Sequence, residues 1–117
     1  KNLPEIVGPY VHAVRHDKTL YVSGLTALGT DNQSKGIAEQ TETVLSQLQT
    51  ILEIEGCDST NILKATLFLK SIDGLSTIRP MLVEFYGKHL PACSLVEVSS
   101  LIHSDLLVEI EAVEALF

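Results

Sequence analysis

The last apolar stretch of the chain carries two acidic residues that could perform acid–base chemistry. Glu109 and Glu111 alternate with Val108, Ile110 and Ala112, so a β-strand places both carboxylates on one face of its sheet. A carboxylate in an apolar cleft has a raised pKa and can position a water molecule as a general base. Two solvated or interface carboxylates would show the same spacing, and spacing alone favours that simpler interpretation.

Three further residues could contact a ligand. Ser23 and Gly24 end a β-favouring run and could offer a hydroxyl and an approachable backbone N–H to a ligand oxygen. A Ser-Gly pair is also an ordinary exit from a strand into a loop. Tyr10 could stack on a ligand or hydrogen bond to it, and the alternative is an interface aromatic residue whose hydroxyl reaches water.

Cys93 and Arg79 are two more residues with possible chemical roles. Cys93 could act as a nucleophile if a cation, such as a protonated His12, His89 or His103, lowered the pKa of its thiol. A lone cysteine beside a strand is more often a small apolar packing residue. Arg79 could bring a cation to a cleft, but a helix-surface arginine is more often a solvated charge. The histidines lack metal-ligand spacing, so we predict no metal site.

Composition limits the class of protein. The 117 residues, 45% of them apolar, predict a single domain spanning residues 1–117. A formal charge of −7 disfavours binding to nucleic acid, because clustered cations are needed to displace counterions from phosphates. No apolar run exceeds three residues, which argues against a membrane span. The two cysteines form no framework pattern, so we expect a reducing compartment, the cytoplasm.

The hydrophobic periodicity predicts the element order β-β-α-β-α-β-β. Apolar and polar residues alternate in the strands and recur every three or four residues in the helices. Pro80 should bend the second helix or delay its start. The predicted elements are strands 10–14 and 20–23, helix 36–55, strand 63–69, helix 72–85, and strands 94–98 and 106–115.

This order predicts an α+β fold with a mixed sheet and both helices on one face. Each strand-helix-strand unit forms a right-handed crossover, which places the two helices on the same side. Apolar residues occupy both alternations of the strands, and the chain has no third layer to cover the second face. We therefore expect self-association through that face.

Four ordered motifs resemble the RidA family, also called YjgF/YER057c/UK114. They are Gly8-Pro9-Tyr10, Tyr21-Val22-Ser23-Gly24, Glu84-Phe85-Tyr86-Gly87 ahead of Pro91-Ala92, and Val108-Glu109-Ile110-Glu111-Ala112. The resemblance extends from about Pro4 to Val113. It implies a chorismate-mutase-like α+β fold, a homotrimer, and a small-molecule site in each cleft between subunits.

The resemblance also implies a reaction, the hydrolysis of reactive 2-imino acids to 2-oxo acids and ammonia. By motif, the family's site tyrosine is Tyr10, its Ser-Gly turn is Ser23-Gly24 and its glutamate is Glu109, which reverses the preference stated above for that residue. The arginine that clamps the substrate carboxylate is replaced by Cys93, and a thiol cannot form the bidentate charged pair. The family's asparagine in the second helix is replaced by Arg79.

These observations leave four hypotheses open, one of which is a purely structural trimer whose cleft is closed by Cys93 and its neighbours. In the first, Glu109 and Ser23 are catalytic and hydrolyse an imine or enamine without a cofactor, while Tyr10, Gly24, Cys93 and Arg79 bind the substrate. In the second, the same cleft of the homotrimer binds an imine, enamine or 2-oxo acid-like metabolite without turnover. The third is the endoribonuclease activity of the L-PSP type that many family members are assigned, which the net charge of −7 disfavours.

Overall fold

Five stretches of alternating polarity form strands, and the two stretches of helical spacing form helices between them, in the predicted order. The computed structural model describes residues 3–6 and 8–116. Its elements are β1 Ala13–His16, β2 Thr19–Leu25, α1 Ile37–Ile54, β3 Ile62–Leu69, α2 Leu75–Tyr86, β4 Ala92–Glu97 and β5 Val108–Ala115.

The last strand lies in the middle of the sheet. The strand order is β1-β2-β5-β3-β4. β5 pairs antiparallel with both β2 and β3, and β3 pairs parallel with β4. β2 and β3 therefore run in the same direction on either side of β5, joined by α1, while α2 joins β3 to β4. The predicted mixed sheet is confirmed.

The helices form one layer on one face of the sheet. α1 packs against β2 and β5, and α2 packs against α1. Alternate residues of the central strands point towards this layer and are buried, as the period of two requires. The core includes Leu20, Val22, Val44, Leu48, Leu52, Leu67, Leu69, Ile78, Val108 and Ile110.

The ends of the helices follow the sequence signals. Gly56 follows α1 with φ +72°, a left-handed conformation that glycine adopts without strain, and Asp58 caps a single 3-10 turn. A second 3-10 turn, Ile72–Gly74, precedes α2, so the helix begins later than residue 72, at Leu75. Pro80 lies inside α2. Among the described residues, no helix is long and apolar enough to cross a membrane.

Three strands begin two or more residues away from the predicted position, and one of them, β4, begins at Ala92 rather than at residue 94. β1 begins at Ala13 rather than at residue 10, because the Tyr10 N–H bonds to the Gly8 carbonyl at 2.8 Å and turns the chain there. β5 begins at Val108 rather than at residue 106, because the Leu107 N–H donates to a helix side chain instead of a neighbouring strand.

The second face of the sheet is not covered by any of the described residues. Tyr21 and Val96 are 50% and 42% exposed on it, and Phe68 and Val113 are half-buried. A face with this many large apolar side chains is typical of a surface that contacts another protein.

Candidate functional site

A β-bulge distorts the end of β2 next to the centre of the sheet. Val22 pairs with Ala112 and Leu25 pairs with Ile110, so three steps along β2 match two steps along β5. The extra residue falls within 23–24, the Ser-Gly pair. Bulges of this kind redirect a side chain or a backbone segment at the edge of a regular ladder.

The bulge brings the backbone of Gly24 against the carboxylate of Glu109. A Cβ atom at position 24 would overlap Glu109 Oε2 and lie only 2.7 Å from Glu109 Cδ. Only glycine lets the carboxylate occupy this position, since it alone has no Cβ.

Glu109 is half-buried on the uncovered face. Glu111 follows two residues later in β5 and lies on the same face. Desolvation by burial raises the pKa of the Glu109 carboxyl, and the negative charge of Glu111 raises it further. Both causes penalise the ionised form. The group is therefore closer to exchanging a proton at neutral pH than an exposed glutamate.

A groove of about 420 Å³ opens above this carboxylate. It brings together four of the six residues identified in the sequence, and two loops complete its walls. The groove is lined by Tyr10, Ser23, Gly24, Thr26, Leu28, Ile102, Glu109 and Glu111.

The Gly8-Pro9-Tyr10 motif places the aromatic wall of the groove. Tyr10 is 47% exposed, and its ring lies close against Gly8, where a Cβ atom would be 2.8 Å from the ring carbon Cε2. The glycine therefore allows the ring to fold back over the N-terminal segment.

The Ser23 side chain is already engaged by the chain's own backbone. Its hydroxyl donates to the Val11 carbonyl oxygen at 2.5 Å, and its backbone N–H donates to the His12 carbonyl oxygen at 2.9 Å. These bonds tie the segment that carries Tyr10 to β2. With its proton used, the hydroxyl can still accept a hydrogen bond through its lone pairs.

The structure places Cys93 on the other face of the sheet. The register pairs Cys93 with Ala65 and Ala65 with Ala112, and both alanines are buried under the helix layer. Directly paired residues point to the same face, so Cys93 and Glu109 point to opposite faces. Cys93 is exposed because β4 is an edge strand. Burial, and secondly Cys93 close by, raise the pKa of the Tyr86 hydroxyl on α2 to about 12.

Arg79 is also outside the groove of its own chain. It is exposed on α2, within the layer that covers the opposite face of the sheet from Glu109. A single chain therefore unites Tyr10, Ser23, Gly24 and Glu109 and leaves Cys93 and Arg79 apart from them.

Two buried glutamines of α1 hold the loops that wall the groove. Gln47 donates to the Thr26 carbonyl oxygen at 3.1 Å. Gln40 donates to the carbonyl oxygens of Gln33, Lys35 and Asp105 and accepts from the Leu107 N–H at 2.9 Å. Both loops are thereby fixed to the helix layer.

Sequence reasoning missed three of the groove residues, Thr26, Leu28 and Ile102. They lie in segments without periodicity, so nothing in their spacing indicates a shared site. Buried glutamine at a helical core position is the signal that could have pointed to the loops, since such an amide must have hydrogen-bond partners. Among the described residues, no group of three or more His, Cys, Asp or Glu side chains is arranged to hold a metal ion.

The fold and the groove define a small α+β protein with a carboxylate at a strand bulge on an uncovered sheet face. Comparison with known proteins gives the family. Residues 1–116 match the family described as Endoribonuclease L-PSP.

Two relatives agree with this match. The chain is 36% identical to the 2-iminobutanoate/2-iminopropanoate deaminase of Bos taurus, covering 94% of this chain and 82% of the relative. It is 34% identical to a RutC family protein of Pyrococcus horikoshii, covering 97% and 91%.

Solved structures share the fold. YyfA, a Rid-family protein of Yersinia pestis, has a TM-score of 0.89 at 31% identity, over 97% of this chain and 93% of that chain. The YjgF protein of E. coli has a TM-score of 0.85 at 29% identity, over 97% and 93%. This chain belongs to the RidA/YjgF family.

Proposed function

We propose that this protein hydrolyses a reactive imine or enamine to a carbonyl compound and ammonia in a cleft between the subunits of a homotrimer. The observation that carries the proposal is the half-buried Glu109 carboxylate, held against Gly24 in a groove with Tyr10. Relatives named 2-iminobutanoate/2-iminopropanoate deaminase support the reaction class.

The groove contains a group able to move the required protons. The oxygen of a water molecule bonds to the imine carbon, and the C=N π electrons move to nitrogen. Glu109 accepts a proton from this water and returns it to the nitrogen. The hydroxyl proton of the resulting carbinolamine then passes through Glu109 to the nitrogen, the C–N bond breaks, and ammonia leaves as the carbonyl forms. Every atom comes from the imine and water, so we infer that no cofactor takes part.

Ser23 acts as a positioning residue in this proposal. Because its hydroxyl proton is committed to Val11, its lone pairs can accept from the attacking water while the hydrogen bond keeps the Tyr10 segment in place. Gly24 is half-buried, and its lack of a side chain leaves its backbone approachable by the substrate.

A neighbouring subunit would complete the cleft. The uncovered sheet face, with Tyr21 and Val96 exposed, supports assembly through that face. Cys93 and Arg79 lie outside the groove of their own chain. In such an assembly they are available to the groove of a neighbouring subunit. Both cysteines are free, which supports a cytoplasmic protein.

A second candidate function is binding of the same metabolite without turnover. It is favoured by Cys93, which stands where the resemblance expects a carboxylate-binding arginine, and by the engaged hydroxyl of Ser23. Endoribonuclease activity is disfavoured because the chain carries 8 basic against 15 acidic residues.

The experiment is imine hydrolysis by wild type, Glu109→Ala and the control Glu53→Ala, which alters an exposed carboxylate on α1. Imines are generated by amine and amino-acid oxidases, and their loss is followed by trapping the remainder with semicarbazide. We expect wild type and Glu53→Ala to accelerate the loss and Glu109→Ala to abolish it while ligand binding remains measurable. Ligand binding with no acceleration by wild type would leave the non-catalytic function instead.

A further inference from the structure

The charged groups that a single chain contributes to the groove are all negative. Glu109 and Glu111 contribute two carboxylates, and none of the described residues lining the groove is a lysine, arginine or histidine. A ligand carboxylate placed between these groups would meet like charges at close range, which costs free energy. A cation placed there would gain the same interactions with the opposite sign.

We propose that the ligand of this groove is a protonated imine that has an apolar substituent and no carboxylate. The inference rests on the proposed function and names its substrate class. An imine nitrogen that carries a proton is a planar cation with N–H donors, which matches the acceptor oxygens of Glu109. It is also the form of the imine that water attacks most readily, because the positive charge draws electrons from the carbon.

The remaining walls suit the rest of such a molecule. Leu28 and Ile102 give the groove an apolar side, and Ile102 is 65% exposed in the single chain. The ring of Tyr10 adds a face of negative potential, which attracts a cation lying over it. An apolar substituent can therefore lie against the two aliphatic residues while the nitrogen lies between the ring and the carboxylates.

The basic side chain nearest the groove is His12, which lines an adjoining cavity that shares Ser23 and Gly24 with it. The cations nearest in the sheet have other partners. Lys64 lies on the uncovered face and donates to the Ser94 hydroxyl at 2.9 Å, and Arg15 is paired with Glu55. Cys93 offers a thiol, which at neutral pH brings no positive charge to a cleft.

This substrate class indicates which reaction must produce the substrate. An imine without a carboxylate forms when a primary amine loses two electrons and two protons, one proton from carbon and one from nitrogen. The reaction that supplies the groove is therefore the oxidation of a primary amine by another enzyme and its own oxidant. The products released here are an aldehyde or ketone and ammonia.

Binding can be tested with two molecules of one shape and opposite charge, benzamidinium and benzoate. We expect calorimetry to detect benzamidinium binding to wild type and no benzoate binding. Glu109→Gln should weaken benzamidinium by about 10-fold or more, because it removes the charge that pairs with the amidinium. Glu53→Gln removes an exposed charge of α1 and should change the affinity little, which separates a local effect from the overall charge of −7.

Turnover is tested with imines that differ only in the carboxylate, one generated from phenylethylamine and the other from phenylalanine. We expect faster hydrolysis of the first. Benzamidinium binding that depends on Glu109, without hydrolysis of either imine, would reject the proposed reaction and keep the ligand class. Preferred hydrolysis of the 2-imino acid, or benzoate binding as tight as benzamidinium, would overturn the ligand class and keep the reaction. Absence of both binding and hydrolysis would reject both.

Discussion

The Glu109 carboxylate lies against the backbone of Gly24, in contact with the residue where β2 bulges away from β5. The two residues are far apart in the chain and meet because β5 is inserted beside β2 at the centre of the sheet. The bulge, the missing side chain and the half-buried acid are therefore parts of one arrangement. Its consequence is a carboxylate with little room to move on the glycine side.

Gly24→Ala should reduce the activity about 100-fold while sparing the fold. The added Cβ would overlap Glu109 Oε2, and the flexible end of the glutamate side chain can move away at small cost. A displacement of about 1 Å at a reacting group can reduce turnover about 100-fold. Imine hydrolysis and thermal unfolding, measured on the same preparation, check both parts of this expectation.

Gly36→Ala is the matched control for that substitution. Gly36 precedes α1 with φ −74°, an ordinary conformation, and its Cβ would lie 3.1 Å from a Glu39 oxygen at the surface. This variant should keep full activity. Full activity in Gly24→Ala would show that the position of the Glu109 carboxylate does not matter.

The acidic limb of the pH–activity profile should report the ionisation of Glu109. Because burial and Glu111 raise the pKa of this carboxyl, the ionised base appears only above the usual pH range of a glutamate. Activity should therefore rise with pH through this raised pKa. Glu111→Gln removes the second cause, so the limb should move to lower pH. A limb that stays in place in kcat/KM profiles of this variant would contradict the assignment.

A second carboxyl group with a raised pKa, that of Glu114, lies in the core, away from the groove. Glu114 is fully buried, and neither of its oxygens has a hydrogen-bond partner among the described residues. It lies between Leu20 and Ile62 in the register, near the end of α1. Burial and then the charge of Glu55 raise the pKa of Glu114 to about 7.

This group predicts that the protein loses stability as pH rises. Between the ordinary pKa of 4.5 and the folded value of about 7, the folded state binds more protons than the unfolded state. The free energy of unfolding therefore falls across that interval, by about 3 kcal/mol in total. Urea unfolding of wild type at about pH 5 and about pH 8 measures the loss.

Glu114→Gln keeps the shape and removes this titration, so its unfolding free energy should fall much less over the same interval, with Glu109 left as a second contributor. Glu53→Gln, at the exposed side of α1, should retain the wild-type slope. An unchanged slope in Glu114→Gln would mean that another group causes the pH dependence.

The order of elements could be predicted from the sequence because the period of two and the period of 3.6 are local signals. The helix that ends before Gly56 and the strand 108–115 are two elements whose existence and type these local signals predicted. The insertion of β5 between β2 and β3 could not be derived in the same way, because strand neighbours depend on contacts between distant segments. Pro80 lies in the second turn of α2, so it does not account for the start of the helix at Leu75.

The candidate site was predictable only in part for the same reason. Glu109 and Gly24 were identified from motifs, but their contact arises from a bulge that no spacing rule indicates. Leu28 and Ile102 lie on loops whose position depends on hydrogen bonds from buried glutamines. The opposite orientation of Cys93 follows from the register of an edge strand, which is visible only after the strands are paired.

Cys93→Arg should install activity on 2-imino acids. Cys93 is exposed on an edge strand, so a longer side chain can extend into solvent or into a neighbouring subunit without disturbing the core. A guanidinium supplies the bidentate partner for a carboxylate, and such a pair contributes about 2–5 kcal/mol when it is desolvated. We expect hydrolysis of 2-aminoacrylate, generated from serine by a dehydratase, to rise at least about 10-fold over wild type.

Cys93→Lys is the matched control, because a lysine adds the positive charge without the two-pronged geometry of a guanidinium and should restore less activity. Wild-type activity equal to that of Cys93→Arg would show that this position does not limit the use of carboxylate substrates, and Arg79→Ala would then test whether the arginine of α2 supplies the cation.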